Sequence, residues 1–89
     1  MHAVVADVTV HDFEPAVRSL KERVVPMVTE LPGFVSGVWL GPTEGKGHSI
    51  VVFASEDDAQ RMVDRLRANP VNPDVTLDSV EIREVVASA

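Results

Sequence analysis

Among the side chains of this chain that could move a proton, three stand out by position: Asp7, His11 and His48. Asp7 lies in Val5-Ala6-Asp7-Val8, a carboxylate in a run of otherwise apolar or small residues. Burial raises the pKa of a carboxylate, which can then serve as acid or base. A structural role competes with this one, either an ion pair with Arg83 or solvation within a subunit interface. His11 and His48 stand at the end of one alternating run and the start of another, so antiparallel pairing of the two runs would bring them together, with Asp12 beside them. Imidazole titrates near neutrality and binds divalent metals, so the group suits a general base or a loose metal site. No HxH or HExxH spacing fixes two ligands on one face, and a third ligand is missing. Two exposed histidines at strand ends are therefore the simpler reading, and no metal is expected.

Other chemistry is excluded at the level of composition. With no cysteine there is no thiol nucleophile, thiolate metal site or cysteine-held iron-sulfur cluster. The segment Gly41-Pro42-Thr43-Glu44-Gly45-Lys46-Gly47 fails as a phosphate loop: three residues rather than four separate its first glycines, glycine follows the lysine, and no helix follows it. It reads as a hairpin turn. Fourteen acidic against eight basic residues, a net charge of -6, repel a phosphate backbone, so no nucleic-acid partner is expected.

The elements that must hold these residues are readable from periodicity. His2 to Val10 alternates as a strand, with Val4, Ala6, Val8 and Val10 on one face. Asp12 is placed to cap a helix, with Glu14 and Pro15 in its first turn. Val17, Leu20, Val24, Met27, Val28 and Leu31 form its buried stripe to about Glu30, and Pro26 predicts a kink. After Pro32-Gly33, strands are expected over Phe34 to Leu40 and His48 to Ala54. The former puts Phe34, Val38 and Leu40 on one side, with Val35 and Trp39 on the other. Ser55 and Asp58 form a capping box for a second helix with Ala59, Met62, Val63 and Leu66 on its stripe, ending at Asn69-Pro70. Val80, Ile82 and Val86 alternate in a last strand.

This order, β-α-β-β-α-β, predicts a single α+β domain over residues 1–89: a ferredoxin-like, four-stranded antiparallel sheet with both helices on one face. A chain of 89 residues buries only about 60 to 65% of its unfolded surface. Ile50-Val51-Val52-Phe53 is apolar toward both faces, so the face away from the helices calls for a cover, and a second copy packed sheet to sheet supplies one. No run approaches a membrane span, and the start lacks the basic region of a signal peptide, so a cytoplasmic homodimer is expected.

Val24-Val25-Pro26, Leu31-Pro32-Gly33-Phe34, the Gly45-Lys46 turn, Phe53 before Ser55-Glu56, and Val80-Glu81-Ile82-Arg83-Glu84-Val85-Val86 resemble the dimeric α/β-barrel superfamily. Within it they look like the antibiotic-biosynthesis-monooxygenase-like group. The resemblance covers nearly the whole chain. It implies a dimeric α/β barrel and admits cofactor-free quinone-forming oxygenases, haem-degrading oxygenases, isomerases, decarboxylases and proteins without known activity. Haem-degrading members use a histidine on or after the second helix, an asparagine on the first strand and a tryptophan near the end of the third. This chain has no histidine after His48 and no asparagine in its first strand, and Phe53 stands in the tryptophan's place. No cofactor is therefore expected.

Two functions follow as expectations. One is a cofactor-independent monooxygenase-like enzyme acting on a small aromatic molecule, with Asp7, His11 and His48 as candidate acid-base residues. Its ligand would lie in an apolar cavity between helices and sheet, lined by Trp39, Phe53, Met27, Met62 and Ala6 and opened by the break at Pro26. The other is a non-catalytic dimer that binds a small ligand or another protein, with Trp39 and Phe53 simply in the core.

Overall fold

The computed structural model describes residues 1–68 and 74–89. The chain runs β1 (His2–Val10), α1 (Phe13–Ser19), a π-helical turn (Leu20–Val24), α2 (Val25–Thr29), β2 (Phe34–Thr43), β3 (Lys46–Phe53), α3 (Glu56–Ala68) and β4 (Val75–Glu84). The expected helix stop at Asn69-Pro70 lies outside the described residues. Among those described, the strands form one antiparallel sheet in the order β2-β3-β1-β4, the ferredoxin-like α+β arrangement read from the sequence.

The core forms where alternating residues of the strands meet the helical stripes. Val4, Val51 and Phe53 from the sheet pack against Val28 of α2 and Ala59, Met62 and Val63 of α3, all with almost no accessible surface. Phe34 meets Phe53 edge to face, with ring centroids 6.3 Å apart. Ser55 caps α3 as expected: the Asp58 amide donates to its Oγ at 3.2 Å, and that hydroxyl donates to the Asp58 carboxylate at 2.9 Å. Gly33 lies at φ 78°, and a Cβ there would overlap the Asp58 carboxylate, so both conformation and space require glycine.

Three local expectations are corrected and a fourth, at Pro26, is refined. Asp12 occupies the N-cap position of α1, but only its backbone carbonyl takes part, accepting from the Ala16 amide at 3.2 Å. At Pro26 the expected break takes a particular form. The turn ahead of it widens, so that the Val25 amide reaches back five residues to the Leu20 carbonyl. A π turn of this kind relieves the clash a proline ring makes with the carbonyl four residues earlier. The β2–β3 hairpin is tighter than expected. Its strands extend to Thr43 and from Lys46, leaving Glu44 (φ 54°) and Gly45 (φ 78°) as a two-residue turn with left-handed backbone at both positions. Val86 lies beyond the end of β4 and is exposed.

A further correction concerns faces. The β2–β3 register shifts between Phe34 and Ser36, so that Phe34, Gly37 and Trp39 share the helix side while Val38 and Leu40 turn to the open side. Phe34 is thus parted from Val38 and Leu40 and joined to Trp39, because a bulge absorbs one residue and inverts the parity after it. The open side of the sheet consequently collects Val5, Ile50, Val52, Val38 and Leu40. Of these, Ile50, Val38 and Leu40 are 40%, 52% and 54% exposed, an apolar patch in search of a cover.

Candidate functional site

Register decides which candidate residues meet. β1 and β3 pair without a shift, setting Asp7 opposite His48 and Thr9 opposite Lys46. His11 therefore lies four residues further along than His48's true neighbour. The expected His11–His48 juxtaposition is not found; His48 hydrogen-bonds to Asp7 instead, and His11 Nε2 bonds to Thr76 Oγ1 at 2.7 Å. Asp12, exposed at the helix start, forms no cluster with them, and among the described residues no group of three His, Cys, Asp or Glu is arranged to hold a metal.

The Asp7 carboxylate is held from both neighbouring strands. Its Oδ1 meets His48 Nδ1, and its Oδ2 accepts a hydrogen bond from Ser79 Oγ at 2.9 Å. Sequence reasoning missed Ser79, and the reason is a bulge. The β1–β4 register shifts between Asp7 and Val8, so two consecutive β4 residues, Asp78 and Ser79, both serve the open face. Ser79 takes Asp7, and Asp78 takes Thr9, whose Oγ1 donates to Asp78 Oδ2 at 2.6 Å. Regular alternation would have sent one of the pair to the helix side. The run Asp78-Ser79 between Leu77 and Val80 was the available signal.

The expected raised pKa of Asp7 is reversed. Donation from the Ser79 hydroxyl, then from His48, holds its carboxyl below the ordinary carboxylate range. Its side chain is about half exposed, 46%, so burial opposes this only weakly. Nor does Asp7 pair with Arg83, whose guanidinium lies 3.6 Å from Glu81. A depressed folded pKa means that this stabilisation is complete above the range where an unfolded aspartate titrates, and is lost as pH falls through the folded value. Ser79→Ala should therefore move the Asp7 pKa upward. Carbon-13 NMR titration of the Asp7 carboxyl measures this, and an unchanged midpoint would show that Ser79 does not hold it.

An ionised carboxylate only accepts, so His48 Nδ1–H donates to Asp7, and in the neutral imidazole Nε2 then carries the lone pair. The pair is thus an oriented imidazole whose Nε2 is not engaged by Asp7 and whose neutral form offers a lone pair there. Ser79 is no nucleophile in this arrangement, since its hydroxyl proton goes to Asp7 and not to the imidazole.

The expected ligand residues lie elsewhere. Ala6, Phe53 and Met62 are buried in the helix–sheet core, and Met27 and Trp39 pack at its margin. They occupy the face of the sheet opposite Asp7 and His48, so one small molecule cannot touch both sets. A shallow groove between α3 and β4 is lined by Gln60, Val63, Arg67, Val80 and Ile82 and includes none of them. His2, which the sequence did not single out, lies on the helix side. Its Nε2 is 3.4 Å from Glu56, and its buried Nδ1 has no partner among the described residues.

No family model matches the chain, and no curated protein matches it. Solved structures do. SnoaB, a cofactor-independent oxygenase from Streptomyces nogalater, superposes with a TM-score of 0.69 at 18% identity, covering 98% of this chain and 94% of its own. The heme-degrader MhuD from Mycobacterium tuberculosis, solved with two hemes in its active site, gives 0.60 at 23% identity, covering 97% and 98%. HapK from Hahella chejuensis gives 0.67 at 9% identity over 100% and 96%. At such identities the likeness is one of fold. A haem does not fit the residues present: α3 carries no histidine, and Phe53, Met62 and Val51 fill the space between helices and sheet. No helix among the described residues is long and apolar enough to cross a membrane.

Proposed function

We propose, from the premise that this chain has the fold of the antibiotic-biosynthesis-monooxygenase-like, dimeric α/β-barrel proteins, that it is a cofactor-independent monooxygenase-like enzyme whose general base is His48. The observation that carries the reading is the His48–Asp7 hydrogen bond with Ser79 behind it. It supplies what such chemistry needs from a protein: a base of fixed tautomer on a rigid strand. Asp7 and Ser79 act as positioning residues. His11, held by Thr76 at the far end of the same face, has no part in the proton transfer.

The substrate class is a small hydroxyaromatic or its enol with an oxidisable CH2 in conjugation. His48 Nε2 takes the hydroxyl proton, and the electron-rich anion reduces dioxygen. One oxygen atom becomes the new carbonyl while the other leaves as water with the two hydrogens of the CH2, so that CH2 plus O2 becomes C=O plus H2O. The substrate lies on the open face, its ring against Val5 and Ile50, which flank the dyad on β1 and β3. A second copy covering the apolar half of that face would exclude water from the anion. The likeness in fold to an oxygenase that needs no cofactor supports this reading.

The test is oxygen uptake by the purified protein against a panel of hydroxyaromatic compounds, with carbonyl product identified by mass spectrometry. Uptake that depends on both protein and substrate is expected, and its absence across the panel would reject the enzyme reading. One observation favours a second reading, a non-catalytic binding or interaction dimer: the helix-side residues Ala6, Phe53 and Met62 are closed in upon one another.

A further inference from the structure

The open face carries a second polar rung beside the Asp7–His48 pair. Lys46 and His48 are alternate residues of β3, so their side chains leave the same face of the strand about 7 Å apart. Lys46 Nζ donates to Thr9 Oγ1 at 2.6 Å, and the Thr9 hydroxyl in turn donates a hydrogen bond to Asp78 Oδ2 at 2.6 Å. Asp78 lies 3.6 Å from the ammonium, near enough to steady it but outside hydrogen-bond reach. An ammonium has three donors, of which this rung uses one. Lys46 is thus fixed without being consumed, and its side chain is 62% exposed on the face where His48 presents Nε2.

We propose that Lys46 is a second substrate-contacting residue, one that takes a carboxylate or conjugated carbonyl oxygen at the opposite end of a hydroxyaromatic molecule from the hydroxyl met by His48. This rests on the site assigned above. Once His48 removes the proton, negative charge spreads through the ring toward that distant oxygen. An ammonium already fixed there stabilises the charge as it develops, without reorganising. Asp78 offsets much of the positive charge, so Lys46 selects by donating a hydrogen bond rather than by attracting any anion. The site then selects flat molecules with oxygens at both ends over those with a single hydroxyl, because only the former offer the held ammonium an acceptor while their hydroxyl meets His48.

Isothermal titration at neutral pH with 4-hydroxybenzoate and 4-methylphenol tests this on the wild-type protein and on Lys46→Met, Lys46→Arg and His48→Gln variants. Wild type should bind 4-hydroxybenzoate roughly tenfold tighter, about 1.4 kcal/mol. Lys46→Met should erase the preference, Lys46→Arg should restore most of it, and His48→Gln should weaken both compounds. Equal binding of the two by wild type, or a preference that survives Lys46→Met, overturns the role of Lys46. If His48→Gln still weakens both compounds in that case, the His48 reading stands. If neither compound binds wild type, both readings fall together.

Discussion

Replacing His48 with Gln should lower turnover about 10²- to 10⁴-fold, the range a positioned general base contributes. Asp7→Asn should come close to it while leaving the imidazole in place. In the wild type both Asp7 oxygens accept, one from His48 Nδ1 and one from Ser79 Oγ. An asparagine turns one acceptor into a donor and removes the negative charge; its amide can face Ser79 or the imidazole with either end, so the histidine tautomer is no longer fixed. Oxygen uptake on the best substrate of the panel measures the rate. Nitrogen-15 NMR of the ring gives a reading that needs no substrate: Nδ1-protonated His48 in the wild type, and a mixture of tautomers in Asp7→Asn. Full activity in both variants would remove the dyad from the mechanism, and an Nε2-protonated ring in the wild type would do so without any assay.

The second large effect concerns assembly. The wild-type protein is expected to sediment as a dimer at micromolar concentration, and Ile50→Glu to yield a monomer or an insoluble chain. Ile50 is central to the open-face patch, with Val38 opposite it on β2 and Val5 on β1. Ile50 and Val52 both face outward, while Val51 and Phe53 are buried beneath the helices. A glutamate at position 50 therefore spares the core of the subunit and strikes what lies on the open face, which in the substrate-free protein is the expected covering copy. An interface made by two-fold symmetry would meet the substitution twice, and each carboxylate buried without a partner costs several kcal/mol. Gln60→Glu, on the exposed face of α3, is the control and should leave the mass unchanged. A wild-type monomer, or an Ile50→Glu dimer of undiminished stability, would exclude sheet-to-sheet pairing.

What the sequence disclosed and what it hid divide along one physical line. Features written in short-range chemistry were readable: the Ser55–Asp58 capping box, the alternation of β1, the stripe of Ala59, Met62 and Val63, and the presence of a hairpin turn between the second and third strands. Features that depend on register were not. A bulge leaves almost no local signature, yet it inverts every side chain beyond it, which is why Trp39 joined Phe34 and why Ser79 reached Asp7 unannounced. Asp7 and His48 were both picked out individually by residue type. Their pairing, and the separation of His11 from it, follow from which β1 residue stands opposite which β3 residue, a quantity set by the whole sheet. The same cause parts Asp7 and His48 from Phe53 and Met62: both sets suit a small-molecule site, but the pleat sends them to opposite faces.

The irregularities of the sheet have one more consequence. The inner pair β1–β3 is regular, whereas β2 and β4, the two outer strands, carry all the shifts in register. Pro42 lies in β2 without an amide proton to offer, and β4 presents Asp78, Glu81, Arg83 and Glu84. A row of unpaired backbone groups along a straight outer strand recruits strands from other molecules and leads to fibrous aggregates. Bends, proline and charge along these rims interrupt such recruitment. Growth in the plane of the sheet is thereby disfavoured, although the open face of the same sheet keeps its apolar residues.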